Sequence, residues 1–115
     1  MIVIKKSEIH TLLLHISSYV DNTLVGGLLS ENITLGMKRR LQKIHKEAYP
    51  QYEEYLADRK AIEKEFEDAV ALVAELKTLD EEEVKINQDK LSMTMIEQIQ
   101  SKNNYDFDFL DKIAE

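Results

Sequence analysis

Apolar and polar positions along the chain fall into one long pattern with shorter ones on either side. Between Thr34 and Leu79 apolar residues recur at alternating spacings of three and four, through Met37, Leu41, Ile44, Ala48, Tyr52, Tyr55, Ile62, Phe66, Ala69, Val73 and Leu76. That is the period of one helical face, and only Arg59 falls in the stripe without being apolar. The spacing predicts one long amphipathic helix, about 70 Å if straight at roughly 1.5 Å per residue. A compact domain of about 100 residues has a radius of gyration of only ~13 Å. Such a rod therefore either bends or is completed by other subunits. Pro50 is the strong interruption, since it removes a backbone donor and crowds the carbonyl four residues earlier. The stripe keeps its phase across it, and Tyr49-Pro50-Gln51 offers no Gly, Asn or Asp to turn on. A kinked helix fits this pattern; a break near Pro50 that folds the halves into a hairpin is the alternative.

The flanks read as short elements. Ile2 to Lys5 is a β-branched strand. Ser7 offers an N-cap for a helix from Glu8 to Asp21, with Ile9, Leu12, Leu13, Ile16 and Val20 on one face. Asn22 to Asn32, with Gly26-Gly27, is loop chemistry anchored by Leu28 and Leu29, and Asn32 or Thr34 can cap the long helix. The acidic run Asp80-Glu81-Glu82-Glu83 crowds the negative end of that helix and stops it. Glu83 to Asn87 alternates as a strand does. Two strands this short pair with one another or with a neighbouring chain. Gln88-Asp89-Lys90 is a turn. Ser92 or Thr94 caps a short helix to about Ser101 with Ile96 and Ile99 inward, Asn103-Asn104 turns, and Asp106 caps a last helix carrying Phe107, Leu110 and Ile113.

The expected fold is thus mainly α: a long kinked helix packed by a shorter N-terminal helix and short C-terminal helices, with a small two-stranded β element. The 115 residues suit a single domain, divided into an N-terminal strand, helix and loop (1–32), the long helix (33–80), and a strand with short helices (81–115).

Charge changes the picture more through its distribution than through its sum. The net charge of −7 argues against general nucleic-acid binding. From Met37 to Glu47 there are five basic residues and one acidic one, whereas Glu63 to Glu83 carries nine acids against Lys64 and Lys77. The long helix is positive at its start and negative at its end, the reverse of its own macrodipole preference. Neighbours that set basic ends beside acidic ends would offset this. There is no cysteine, hence no thiol nucleophile or cysteine zinc site, which is compatible with a reducing compartment. No apolar run reaches the roughly 18 residues of a membrane span, nor does the N-terminus have the core of a signal peptide, so a soluble protein made inside the cell is expected.

Candidate chemistry is sparse. His10 and His15 diverge on a helix, and His45 has no acid three or four residues away, so no metal site is expected. Gly26-Gly27 lacks the lysine and strand of a phosphate loop. No cofactor and no catalytic constellation emerges, and the chain reads as a non-enzyme. What remains points to contact. Tyr49, Tyr52 and Tyr55 suit either the packing of the kink or an interface anchor. Arg59, with Glu63 four residues on, either sets helix register or snorkels past the core edge. Arg39, Lys43 and Lys46 share a face almost opposite the stripe and form either a solvated face or a docking patch for an acidic protein.

Four segments carry a family resemblance: Leu41-Gln-Lys-Ile-His-Lys; Tyr49-Pro50-Gln51-Tyr52-Glu53-Glu54-Tyr55; Glu82-Glu83-Val84-Lys85-Ile86; and Asn103-Asn104-Tyr105-Asp106-Phe107-Asp108-Phe109-Leu110. In that order they resemble small helical proteins encoded in the structural gene clusters of tailed bacteriophages, those of crAss-like phages above all. The resemblance implies a virion or assembly role, namely an auxiliary capsid protein foremost, a head-tail component, or a tail assembly chaperone, made in the host cytoplasm and contacting viral structural proteins such as the major capsid protein and copies of itself. A non-virion assembly chaperone, or a small regulatory protein-binding module, is the alternative. Such relatives imply a turn before the Glu-Glu-Val-x-Ile strand, yet no Gly or Pro follows Pro50 here.

Overall fold

The computed structural model describes residues 1–99 and 103–115. The protein is mainly helical, and α2 (Leu35–Glu65) is its spine. Thr34 caps this helix by accepting the Met37 amide at 3.2 Å. Its 31 residues correspond to about 46 Å of helix if straight, against a longest dimension of 49 Å for the molecule. Proline lacks the amide that would bond the Lys46 carbonyl, yet α2 runs through Pro50 unbroken.

The helix ends at Glu65, fifteen residues after the proline, and this corrects the single rod expected to Leu79. Phe66 leaves helical geometry, and Asp68 starts α3 (Ala69–Glu81) by accepting the Val70 amide. The three-residue break happens to preserve the phase of the stripe, so periodicity could not reveal it. Folding back has a clear physical gain. It sets Leu79 in the core and brings Asp80 onto Tyr55 and Arg59 of α2, instead of leaving α3 at the end of a solvated rod.

Around the first half of α2 the chain builds its own core. β1 (Ile2–Lys5) pairs antiparallel with β4 (Glu83–Ile86), Ile2 opposite Ile86 and Ile4 opposite Val84. These four side chains alternate inward and are buried, while Val3, Lys5, Glu83 and Lys85 face out. The expected partnership of the two strands is therefore met within one chain. α1 (Ile9–Ile16) buries Ile9, Leu12, Leu13 and Ile16, and together with β4 it covers Met37, Leu41, Ile44 and Ala48. Glu8, not Ser7, occupies the cap position of α1 and accepts the Lys5 amide at 2.9 Å.

α1 also stops five residues before Asp21. In place of its expected last turn and the loop after it stands a ribbon of β2 (Ser18–Val20) and β3 (Thr23–Gly26). Asp21 and Asn22 both have positive φ, 49° and 64°, the geometry of the two-residue turn whose twist matches a hairpin. Gly27, at φ 83°, then lies so close to the end of α1 that a Cβ there would sit 2.6 Å from the Ser17 amide nitrogen. The ribbon is thereby pinned to the body, with Leu28 buried as expected and Leu29 half-buried.

The C-terminal segment closes the core from the other side. Ser92 caps α4 (Met93–Glu97), in which Ile96 is buried; the helix stops at Glu97, short of its expected end near Ser101, and Ile99 is half-buried beyond it. Asp106 caps α5 (Phe107–Ile113), but the face differs from expectation: Phe109, Leu110 and Ile113 are buried and Phe107 is 50% exposed. Leu91 bonds to both Ile113 and Glu115, which ties the chain's end to the strand side of the core.

Candidate interaction surfaces

Among the places that keep apolar groups open, two lie along α2. The first is a groove of about 440 Å³ between the ribbon and the middle of α2. Tyr19 and Leu29 form one side. Along α2 the other side is lined by Gln42, His45, Lys46, Tyr49 and Pro50, spacings that put them on one helical face. Tyr19 is 59% and Tyr49 47% exposed, although Tyr49 stacks on His45 with ring centroids 5.7 Å apart. Arg39 and Lys43 are exposed on α2 one to two turns before Lys46, and none of the three bases makes an ion pair among the described residues. The groove thus has an apolar floor and a basic margin.

The second surface is the arm made by the end of α2 and most of α3. From Leu56 to Thr78 no residue is buried. α3 is apolar on two sides: Leu72, Leu76 and Leu79 are the sheltered side, while Val70 and Val73 are 78% and 65% exposed. Val70, Val73, Ala74 and Lys77 recur at helical spacing, so they form a continuous outer stripe. Glu63, Glu65, Glu67 and Glu75 are exposed on the arm without an ion pair among the described residues. In sign of charge, the arm's tip is the converse of Lys46 and Lys43 on α2.

The seven residues singled out from the sequence separate into three places. Lys46 and Tyr49 meet in the groove, and Arg39 and Lys43 are exposed earlier on α2. Tyr52 is half-buried against His10, ring centroids 5.4 Å apart. Tyr55 and Arg59 belong to the root of the arm. The Tyr55 hydroxyl donates to Asp80 Oδ1, and Arg59 Nη1 donates to that carboxylate at 3.0 Å and to the Tyr55 hydroxyl at 3.2 Å. Arg59 thus pairs across the two helices rather than with Glu63 along one. Burial raises the Tyr55 pKa, and its bond to Asp80 raises it further. The Arg59 pKa is raised too, by its bond to Tyr55 and the negative charge of Asp80. The three tyrosines are therefore not one anchor: Tyr55 locks α3 to α2 and only Tyr49 remains widely open.

Sequence reading missed Tyr19, Leu29 and Pro50 as walls of one groove, and Val70 and Val73 as an outer face. Val20-Asp21-Asn22-Thr23 carried a usable signal for the ribbon, since Asp and Asn tolerate positive φ. Nothing local placed the ribbon beside α2.

No group of three or more His, Asp or Glu among the described residues could hold a metal ion. His15 is tied down structurally: Nδ1 lies 2.8 Å from the Thr11 carbonyl and Nε2 3.2 Å from the Asp106 amide, which fits a proton on Nδ1. No described helix is long and apolar enough to cross a membrane. Comparisons with family models, curated proteins and solved structures find no match to this chain.

Proposed function

We propose that the chain acts by protein–protein contact and not by catalysis, as a structural or assembly component. The observation that supports this reading is the open apolar surface of the arm and groove, in a protein whose core is otherwise closed around α2. Contiguous exposed apolar surface rimmed by polar groups marks interaction sites. Exposed aromatics such as Tyr19 and Tyr49 are the residue type enriched where partners meet.

The sequence resemblance to phage structural proteins makes the proposal specific: an auxiliary capsid protein of a tailed bacteriophage, made in the host cytoplasm and incorporated into the virion. Quantitative mass spectrometry of particles from the virus that encodes the chain tests it. Many copies per particle are expected. Absence from particles, with abundance in the cell during assembly, would replace the virion role with that of a transient chaperone. Failure of the purified chain to bind purified capsid protein, combined with that absence, would remove both.

A further inference from the structure

The two open surfaces have matching chemistry. The groove offers an apolar floor of Tyr19, Leu29, Tyr49 and Pro50 with Lys46 in its lining, and Lys43 and Arg39 are exposed about one and two turns before Lys46 on α2. At its tip the arm offers Val70 and Val73 among Glu63, Glu65 and Glu67. Both stand on the same helix: the groove is centred near residues 45–50 and the tip lies beyond residue 65. That separation is roughly 26 Å along continuous α2. A rigid helix between them prevents an arm from reaching its own groove.

We propose that the arm tip of one copy, residues 65–73, docks in the groove of another copy. This inference rests on the contact role proposed above and names the partner as the chain itself. Docking would bury the open valines against the groove floor and set Glu65 and Glu67 beside Lys43 and Lys46. The tip from Glu63 to Asp68 carries four acids against Lys64, so a second copy brings net negative charge to the first copy's Lys43 and Lys46. Because groove and tip are different patches, the contact is heterologous and continues from copy to copy into a ring or filament unless two copies engage reciprocally.

Sedimentation of the purified full chain over a range of concentrations, at low and high salt, tests the proposal. Concentration-dependent association that weakens with salt is expected, because exposed charges are screened. The double variant Lys43→Glu with Lys46→Glu gives an acidic groove and an acidic arm, whereas Glu65→Lys with Glu67→Lys gives a basic groove margin and a basic arm. Each alone should weaken self-association about tenfold or more, and mixing the two should restore it. All four positions are exposed, and restoration in the mixture shows both variants folded. Val70→Ser with Val73→Ser should weaken association at every salt concentration.

A wild-type chain that stays monomeric at low salt overturns the proposal, as does either charge variant associating like wild type. A monomer found in particles would overturn self-docking alone and leave the virion role. A self-associating chain absent from particles would do the reverse.

Discussion

The two halves of α2 carry the same apolar periodicity and meet opposite fates. From Met37 to Tyr55 the stripe is buried or half-buried, roofed by α1 and β4. From Leu56 onward α3 packs on α2, and no residue is buried until Leu79. Periodicity specifies which face of a helix is apolar, whereas sequentially distant elements decide whether that face is covered. The contrast also explains the shape. The radius of gyration is 15.9 Å, above the ~13 Å of a compact domain of this length, because the arm extends past the core.

The largest expected effect falls on the covered half. Leu41 is fully buried, so Leu41→Ala should cost about 3 kcal/mol in chemical denaturation. Gly27→Ala should cost about 2 kcal/mol, since it combines an unfavourable φ with a Cβ too close to Ser17. A change below 0.5 kcal/mol at Leu41 would mean that the body is not packed as described.

At the root of the arm the effect should be smaller. Tyr55→Phe removes the hydroxyl that bridges Asp80 and Arg59, at about 1 kcal/mol. Its clearer signature is local: amide exchange should quicken in α3 and stay unchanged in α1. Equal quickening in both would make arm and body one cooperative unit.

pH separates the seams without any substitution. Lys6 bonds Glu82 at 2.6 Å, which raises the lysine pKa. Tyr55 is raised as well. Groups with raised folded pKa contribute stability that is complete below their unfolded values, about 10, and is lost as pH climbs through the folded ones. Glu8 has the opposite sign. Burial alone would raise its carboxyl, but the Lys112 ammonium and the Lys5 amide outweigh burial and lower it. Its contribution is present above about 4.3 and lost as pH falls through the depressed folded value. Denaturation midpoints should therefore fall at both extremes. The alkaline fall should be reduced in Tyr55→Phe and the acid fall in Glu8→Gln.

Smallest of all should be the effect at the arm's outer face. In dilute, monomeric protein Val73→Ala should change stability by less than about 0.5 kcal/mol, although Leu41 and Val73 belong to the same apolar stripe. A large loss would show Val73 already packed within the chain.

Much of the covered half was legible in the sequence. Ile2, Ile4, Val84 and Ile86 alternate cleanly and pair, and Thr34, Ser92 and Asp106 cap the helices they precede. The boundary at Phe66 was not, because the break contains no Gly or Pro and Asp68 stands among other acids. The Asp80 contact that makes the reversal favourable comes from tertiary structure. The ribbon was lost for a different reason: Val20 matches the helical period of α1, so periodicity outvoted the turn signal of Asp21-Asn22. For the interaction surfaces, Lys46 and Tyr49 were legible as exposed groups of a kind that contacts partners. Tyr19 and Leu29 were not, since they reach α2 only through a fold that sequence spacing does not encode.

Hydrogen exchange read by mass spectrometry at two protein concentrations tests the contrast most directly. Amides of residues 37–55 should be strongly protected even when dilute. Those of residues 60–78 should exchange fast when dilute and slow markedly when concentrated, as other copies cover the arm. Equal, concentration-independent protection along the whole of α2 and α3 would contradict the account, because the arm would then need no partner.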